Sequence, residues 1–293
     1  MKNVRHYNSP TPNLLVDANR VRWIRAGISA RRVILGFLIE KVQSVIRHSS
    51  VVMSALLCAC APSTSPADEK PRYTILRTPT PIKIDGKLDE KAWAAAESVG
   101  DFQFAWYESG KKEQTVAKLL WDETYLYVGY VCEDAHIHAT RTERGSRVWR
   151  DDCVEVFTAP NPKAPENYFN IEMNVNAAFL EGHHPEGLGS KSKERWRTEG
   201  MKVATQVSGT LNDDSDVDKQ WILEVAIPFA SFADVAVHTP PRSGDVWRLN
   251  LNRLGGETNQ QFSQWSPGST ESPQFHSPKD FGFVTYSEKA VSF

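Results

Sequence analysis

The stretch Trp149-Arg-Asp-Asp-Cys-Val-Glu-Val-Phe157 has the two-residue alternation of a β-strand, because Val154 and Val156 fall on one face and Glu155 on the other. Burying an unpaired carboxylate is strongly unfavourable, so Glu155 must be paired, hydrogen-bonded or turned toward a ligand. Trp149 stands just upstream, and an indole beside hydrogen-bonding carboxylates is typical of a sugar-binding surface. A core tryptophan followed by a salt-bridged strand acid would give the same pattern, so both interpretations stay open on these residues alone.

The same alternation continues in two later segments that carry polar faces. In the segment 168–176 the polar positions are Asn170, Glu172, Asn174 and Asn176. In the segment 247–253 they are Arg248, Asn250 and Asn252. Asparagine is depleted in strands, and its amide suits the paired donor and acceptor character of sugar hydroxyls. A sugar-binding face and an ordinary solvated sheet face both fit this pattern.

Many short alternating segments with turn residues between them, and almost no helical periodicity, predict an all-β fold. We expect an antiparallel β-sandwich of jelly-roll or immunoglobulin-like type with one short helix. The helix is predicted at Asp89–Ser98, capped by Asp89 and with Trp93 in the core. Strands are predicted at Ala117–Trp121, Tyr125–Cys132, Cys153–Thr158, Tyr168–Val175, Met201–Ser208, Trp221–Ile227, Trp247–Leu254 and Phe281–Tyr286.

Composition limits the partners of this chain. Its 293 residues carry a formal net charge of −2, which gives no basic footprint for nucleic acid. Nine tryptophans favour a ligand-binding surface, although most of them are expected in the core.

The first sixty residues differ in kind from the rest. Residues 1–60 are rich in arginine and end in a short apolar run followed by Leu57-Cys-Ala-Cys60, which resembles a bacterial lipoprotein signal with Cys60 as the lipid-bearing residue. The long basic extension departs from such signals. We therefore expect a leader at 1–60, a Pro/Ser-rich tether at 61–72, a folded domain at 73–287 and a tail at 288–293. The protein is then exported, periplasmic or at the cell surface, and meets the membrane through a lipid anchor only.

Two cysteines, Cys132 and Cys153, remain in the predicted strands of the folded domain. An oxidising compartment would permit a disulfide between neighbouring strands, whereas lone strand cysteines are more often small core residues. The sequence leaves that pairing open.

Six blocks of the chain carry a resemblance to a known family. They are IDGKLDEKAW (84–93), LLWDETYLYVGYVCED (119–134), WRDDCVEVF (149–157), GTLNDDSDVDKQWILEVAIPF (209–229), GDVWRLNLNR (244–253) and FHSPKDFGFV (275–284). Their order and content resemble the carbohydrate-binding module family 9, over about residues 74–286. The resemblance implies a β-sandwich that binds an oligosaccharide or polysaccharide end without cleaving it.

The resemblance also implies site residues, since family 9 modules clamp a sugar between two tryptophans with nearby acid, amide and basic side chains. Trp149 and Glu155 stand at the family's spacing, and Trp265 is expected as the second ring, with Trp196 as its rival. Asp152, Asn174, Asn252 and Arg253 are added as polar contacts. Structural calcium is also implied, and the acidic turn with Asp213, Asp214, Asp216 and Asp218 is the candidate for it, although it lacks the glycine and terminal glutamate of an EF-hand loop.

No nucleophile elbow, P-loop or HExxH motif occurs in the chain, so no enzyme activity is expected. Two alternatives remain. One is an accessory domain of a glycoside hydrolase or the hydrolase itself, with Glu155 and Asp152 as an acid pair. The other is a haem-binding electron-transfer sandwich, for which the available ligands are Met173, Met201, His136, His138, His183, His184 and His276.

Overall fold

The structure is a computed structural model that describes residues 69–190, 195–255 and 260–293. The predicted leader with Cys60 lies outside the described residues. Eleven strands form within these ranges: β1 (Arg72–Arg77), β2 (Thr115–Trp121), β3 (Tyr125–Glu133), β4 (Asp152–Ala159), β5 (Tyr168–Asn174), β6 (Phe179–His184), β7 (Lys202–Ser208), β8 (Gln220–Pro228), β9 (Val246–Gly255), β10 (Phe262–Gln264) and β11 (Gly282–Ala290). One short helix, α1, spans Lys91–Ala95, and 3₁₀ turns lie at Val148–Arg150, Phe229–Phe232 and Pro278–Asp280.

The predicted β-sandwich with one short helix is confirmed, and each of the eight predicted strands is present as β2, β3, β4, β5, β7, β8, β9 or β11. Three strands were not predicted: β1, β6 and β10. β6 contains Gly182, a weak strand former, and it is a strand because it pairs with β5 along its length.

The strands follow the order β6-β5-β4-β9-β11-β1-β2-β3-β8-β7, with β10 added beside β9. Most neighbours are antiparallel, as expected, but β1 runs parallel to both β11 and β2. The sheet is therefore mixed at its centre.

The sheet curls so that its two halves share one core. Its buried members from β2, β3 and β8 pack with those from β4, β5 and β9, and the large rings Trp121, Trp221 and Trp247 lie in it, almost fully buried. Val154 and Val156 of β4 point into this core, as their alternation predicts. The odd-numbered residues of β4 consequently face the other way.

Helix α1 is shorter than predicted and is not capped by Asp89. Its N-cap residue is Glu90, which makes no side-chain cap bond and instead accepts a hydrogen bond from the Lys83 backbone amide at 3.1 Å. Trp93 is buried as expected, and its indole N–H donates to Glu224 at 2.9 Å. Among the described helices, none is long and apolar enough to cross a membrane.

Cys132 and Cys153 are both buried and both free, so the structure contains no disulfide between them. Burial raises the pKa of the Cys132 thiol to about 11. The two side chains therefore act as small core groups.

Candidate functional site

The face of β4, β5 and β9 that turns away from the core carries an open groove, here called the aromatic groove. Two adjoining cavities of about 280 Å³ and about 210 Å³ make it up, and both are lined by Trp149, Leu254 and Phe262. The remaining lining residues are Arg150, Glu155, Phe157, Glu172, Gly255, Gln260, Gln261, Pro273, Gln274, Phe275 and His276. Concave, aromatic-lined surfaces with a few polar groups are where small ligands bind.

Two carboxylic side chains form the floor of the aromatic groove. Glu155 of β4 stands directly opposite Glu172 of β5 and, on its other side, opposite Asn252 of β9. Strand pairing places such partners on one face with about 5 Å between their Cβ atoms. The Asn252 amide donates to Glu155 at 3.2 Å, and the Asn170 amide donates to Glu172 at 2.8 Å.

Burial raises the pKa of both floor acids, Glu155 and Glu172. Both are at least 95% buried, and burial followed by the charge of Glu172 raises the pKa of Glu155 well above its ordinary value. Burial also raises the pKa of Glu172 to about 7, against a smaller lowering by the Asn170 hydrogen bond. Near neutral pH the pair therefore retains at least one proton.

Several buried acceptor atoms have no partner, one on the groove-lining Glu172 and two on the strands β9 and β6 on either side of the acid pair. They are Glu172 Oε2, Asn252 Oδ1 and His184 Nδ1. His184 Nε2 lies 3.0 Å from Asn170 Oδ1, which is an acceptor because the amide nitrogen already serves Glu172. Nε2 thus carries the proton of the neutral ring and Nδ1 is an unfilled acceptor. Buried polar groups are normally hydrogen-bonded, so this cluster indicates a place where a ligand supplies the bonds.

Aromatic rings form the walls above this floor. Trp149 is 39% exposed and projects from the 3₁₀ turn, while the neighbouring Val148 is fully buried beneath it. The Arg150 guanidinium lies 5.1 Å from the Trp149 ring centre. Phe262 and Phe275, whose ring centres are 6.0 Å apart, line the same groove.

Hydrogen bonds to Asp280 fix the loop that carries Phe275. Asp280, almost fully buried, accepts hydrogen bonds from the Ser269 backbone amide at 3.0 Å and from the Ser277 hydroxyl at 2.7 Å, and pairs with Lys70 at 2.9 Å. The His276 ring lies 2.9 Å by its Nδ1 from the Tyr168 hydroxyl. Burial, reinforced by His184, lowers the pKa of His276 to about 4, so this ring is neutral.

The acids that precede β4 hold the Trp149 turn rather than line the groove. Asp151 is fully buried, accepts from the Arg141 backbone amide and the Asn174 side chain, and pairs with the Arg141 guanidinium. Asp152 accepts from the His138 backbone amide at 2.6 Å. Asp152 and Asn174 are therefore placed as supports of the loop before the turn, outside the groove lining.

Arg253 lies on the opposite face of β9 from Asn252, because successive strand residues alternate sides. It is fully buried, donates to the carboxylate of Asp134 at 2.8 Å and stacks on Trp221 with 5.4 Å to the ring centre. Burial and the Asp134 charge raise the pKa of Asp152 to about 8 in the same cluster. Both adjacent sequence-predicted residues are buried: Asn252 lies on the face of the acid pair and bonds to Glu155, and Arg253 lies on the opposite face.

Trp265 is placed in the core. It is 3% exposed and its indole N–H donates to the Val99 carbonyl at 2.8 Å, so it offers no free ring face to a ligand. Its rival Trp196 is partly buried against Phe169 and Phe232 and donates to the Ser231 carbonyl. Neither ring lines the aromatic groove, where the further aromatic side chains besides Trp149 are Phe157, Phe262, Phe275 and His276.

The acidic turn of residues 212–218 presents its carboxylates separately. Asp218 turns inward and accepts from the backbone amides of Ile137 and Thr210, whereas Asp213 accepts from the Ser215 amide. Asp214 and Asp216 are exposed. Within the described residues, no group of three or more His, Cys, Asp or Glu side chains is arranged to hold a metal ion.

Sequence reasoning missed Phe262, Phe275 and His276 as groove residues. They come from β10 and the loop before β11, where no strand alternation marks an inward or outward side. Glu172 had a usable signal, since it alternates with the apolar residues of the 168–176 segment and so shares a face with Asn170.

The residues described so far define a class of protein: an all-β ligand-binding domain with an aromatic-walled, acid-floored groove. A family model described as "Carbohydrate family 9 binding domain-like" matches residues 84–289, and the chain belongs to that family. Domains of this family bind carbohydrate and are non-catalytic modules.

Relatives agree with this assignment. A part of Endo-1,4-beta-xylanase A from Thermotoga maritima is 28% identical over 101 residues, which is 34% of this chain and 9% of the xylanase. The chain thus spans only a small part of that enzyme's length.

Solved structures share the fold. A protein of Bacteroides uniformis ATCC 8492 that is provisionally described as carbohydrate-binding matches with a TM-score of 0.63 and 20% identity, over 75% of this chain and 100% of that one. A family 9 carbohydrate-binding module from Caldicellulosiruptor kristjanssonii, in complex with cellotriose, matches with a TM-score of 0.54 and 15% identity, over 75% and 95%. Its glucose complex gives 0.53 and 14%, over 76% and 98%.

Proposed function

We propose that this protein holds an oligosaccharide, or the end of a polysaccharide, in the aromatic groove and does not cleave it. The observation that carries the proposal is that an exposed indole, Trp149, and an unpartnered buried acceptor, Glu172 Oε2, line the same groove, with the acceptor Asn252 Oδ1 on the next strand but one. The ring face suits the C–H face of a sugar, and Glu172 Oε2 and Asn252 Oδ1 suit its hydroxyl donors. The solved relatives with cellotriose and glucose support this ligand class.

The proposal includes a location. A lipid anchor at Cys60 would hold the domain at the periplasmic or cell-surface side of a membrane, joined by the tether of residues 61–72. Structural calcium in the acidic turn remains part of the proposal, with Asp213, Asp214 and Asp216 as the ligands still open to solvent.

A second proposal follows from the match to part of a xylanase. The same groove would then serve as an accessory module that keeps a plant polysaccharide close to a hydrolase. Xylan oligosaccharides are the ligands that distinguish this possibility from a cellulose or mannan binder.

Calorimetric titration of residues 61–293 with cello-, xylo- and manno-oligosaccharides tests both proposals. We expect saturable binding to at least one ligand and, for Trp149→Ala, a loss of about thirtyfold or more, which is the size of an interface hot spot. Trp149→Phe keeps a ring and should lose less. Phe293→Ala removes an exposed aromatic that contacts Lys91 of α1, away from the groove, and should bind as the parent does.

If the folded protein bound none of these oligosaccharides, the proposed function would be refuted. Full binding by Trp149→Ala would refute the assignment of the groove.

A further inference from the structure

The floor of the aromatic groove has two acids and no cation to balance them. Among the described residues that line it, Arg150 is the one Lys or Arg, and it lies at the rim over the Trp149 ring. Its guanidinium is therefore engaged with the wall. Two facing carboxylates without a counter-charge form an arrangement that a cationic ligand would stabilise.

Three of the unpartnered buried atoms at or beside the floor are acceptors, while Gln264 Nε2, on the residue paired with Asn252, is an unpartnered donor. Glu172 Oε2, Asn252 Oδ1 and His184 Nδ1 all accept hydrogen bonds, and all are buried without a partner. A neutral sugar ring offers single O–H donors, each of which is also an acceptor that has to be satisfied. A protonated amine offers three N–H donors and no acceptor, and so matches the floor in both hydrogen bonding and charge.

We propose that the aromatic groove selects an amino sugar, with its protonated amine on the Glu155–Glu172 pair and its ring against Trp149. This inference rests on the proposed function and narrows its ligand class. A sugar is favoured over a simple amine because the aromatic walls give a ring a surface to stack on, which an acyclic amine cannot use.

Binding then exchanges one proton for one positive charge. The amine arrives as –NH₃⁺, its N–H groups form hydrogen bonds to the oxygens of the acid pair, and one proton of the pair leaves to solvent, so that the pair carries one more negative charge in the complex. No covalent bond changes. The groups that face Glu172 are Glu155 and Cys153 from β4, His184 from β6 and His276 from the loop before β11. Burial lowers the pKa of both histidine rings, that of His276 to about 4, and we assign the released proton to the acid pair.

The test compares sugars that differ in one group. The β-1,4-linked dimer of glucosamine, its N-acetylated form and cellobiose are titrated at about pH 6.5, where an amine of this type is protonated. We expect the glucosamine dimer to bind about tenfold more tightly than cellobiose, as one ion pair at a partly screened site would give. The N-acetylated dimer, which lacks the charge, should not share this gain.

Variants and buffers separate the causes. In Glu172→Gln the ratio of the two affinities should fall toward one, whereas Asp214→Asn, which removes an exposed charge in the acidic turn, should keep it. If Glu172→Gln does not fold, the unmodified protein provides the test. Calorimetric titration in two buffers of different ionisation enthalpy should show release of up to one proton with the glucosamine dimer and none with cellobiose.

Three results would overturn the inference. Cellobiose binding as tightly as the glucosamine dimer would refute amine selection and leave the proposed function standing. Calcium chloride alone binding at the acid pair, with binding lost in Glu172→Gln, would make the pair a metal site. No binding of any sugar would refute the proposed function as well.

Discussion

Replacing Glu172 by glutamine should stabilise the protein at alkaline pH and leave it unchanged at acid pH. The side chain is 5% exposed, faces Glu155, and has an ordinary pKa of 4.5 that burial raises to about 7. Glutamine keeps the carbonyl oxygen that accepts from Asn170 and removes the charge.

The size of the effect follows from linkage between protonation and folding. A carboxyl whose folded pKa is raised favours the folded state fully below pH 4.5, and this contribution is lost as the pH rises through about 7. At about 1.4 kcal/mol per pKa unit the loss amounts to about 3 kcal/mol, as an upper value for a coupled pair. In a domain of this size that corresponds to a rise in melting temperature of about 6–12 °C for Glu172→Gln at pH 8.

The assay is urea and thermal unfolding at pH 5 and pH 8. Glu224→Gln is the matched control, because burial raises the pKa of Glu224 to about 7 as well but its carboxylate accepts from the Trp93 indole and the backbone amides of Asp85 and Gly86. The amide nitrogen of glutamine would face one of these donors, so we expect Glu224→Gln to lose about 1–3 kcal/mol at pH 5, where Glu172→Gln should lose nothing. At pH 8 removal of the Glu224 charge should offset this loss, so the two variants differ most at pH 5. The reasoning would be refuted if Glu172→Gln changed the free energy of unfolding equally at both pH values, or if it lowered stability at pH 8.

Three further expectations concern residues outside the groove floor. Trp265→Ala should cost about 3–5 kcal/mol in urea unfolding, since it empties a buried site, and a near-neutral result would contradict its core placement. Arg253→Met should lower the free energy of unfolding by a similar 3–5 kcal/mol, because it leaves Asp134 buried without its partner. This loss should be smaller at pH 5 than at neutral pH, because burial raises the pKa of Asp134 and the acid is then more protonated. Cys132 and Cys153 should react with a thiol reagent only in denaturant, and mass mapping of labelled peptides would expose a disulfide as unlabelled residues.

The alternation of hydrophobic and polar residues located the strands that form the site. It placed Glu155 and Asn252 on one face, and they are hydrogen-bonded neighbours there. Arg253 was also predicted as a polar contact of the ligand, but it follows Asn252 in the strand and therefore points into the core. An arginine is not expected in a core unless an acid pairs with it, and Asp134 lies 119 positions away in the chain.

The alternation of residues in strands could not predict which side chains form the walls of the groove. Phe262 and Phe275 approach each other because β10 adds to β9 and Asp280 fixes the following loop, and neither contact has a local sequence signal. The sequence predicts Trp265 as a ligand-facing ring in a loop, whereas in the structure its indole donates to the Val99 carbonyl, a partner 166 residues away. The position of a ring in a loop depends on long-range hydrogen bonds of this kind.

β1 has neighbours on both sides that run in its own direction, so the chain enters the domain at the middle of the sheet and not at an edge. Tension applied through the residues before Arg72 would act along this strand. Its hydrogen bonds to β11 and β2 lie across the direction of pull, and all of them would carry the load together instead of opening one after another. A domain tethered at that end and holding a polymer in its groove would therefore resist being drawn apart by flow or by movement of the polymer.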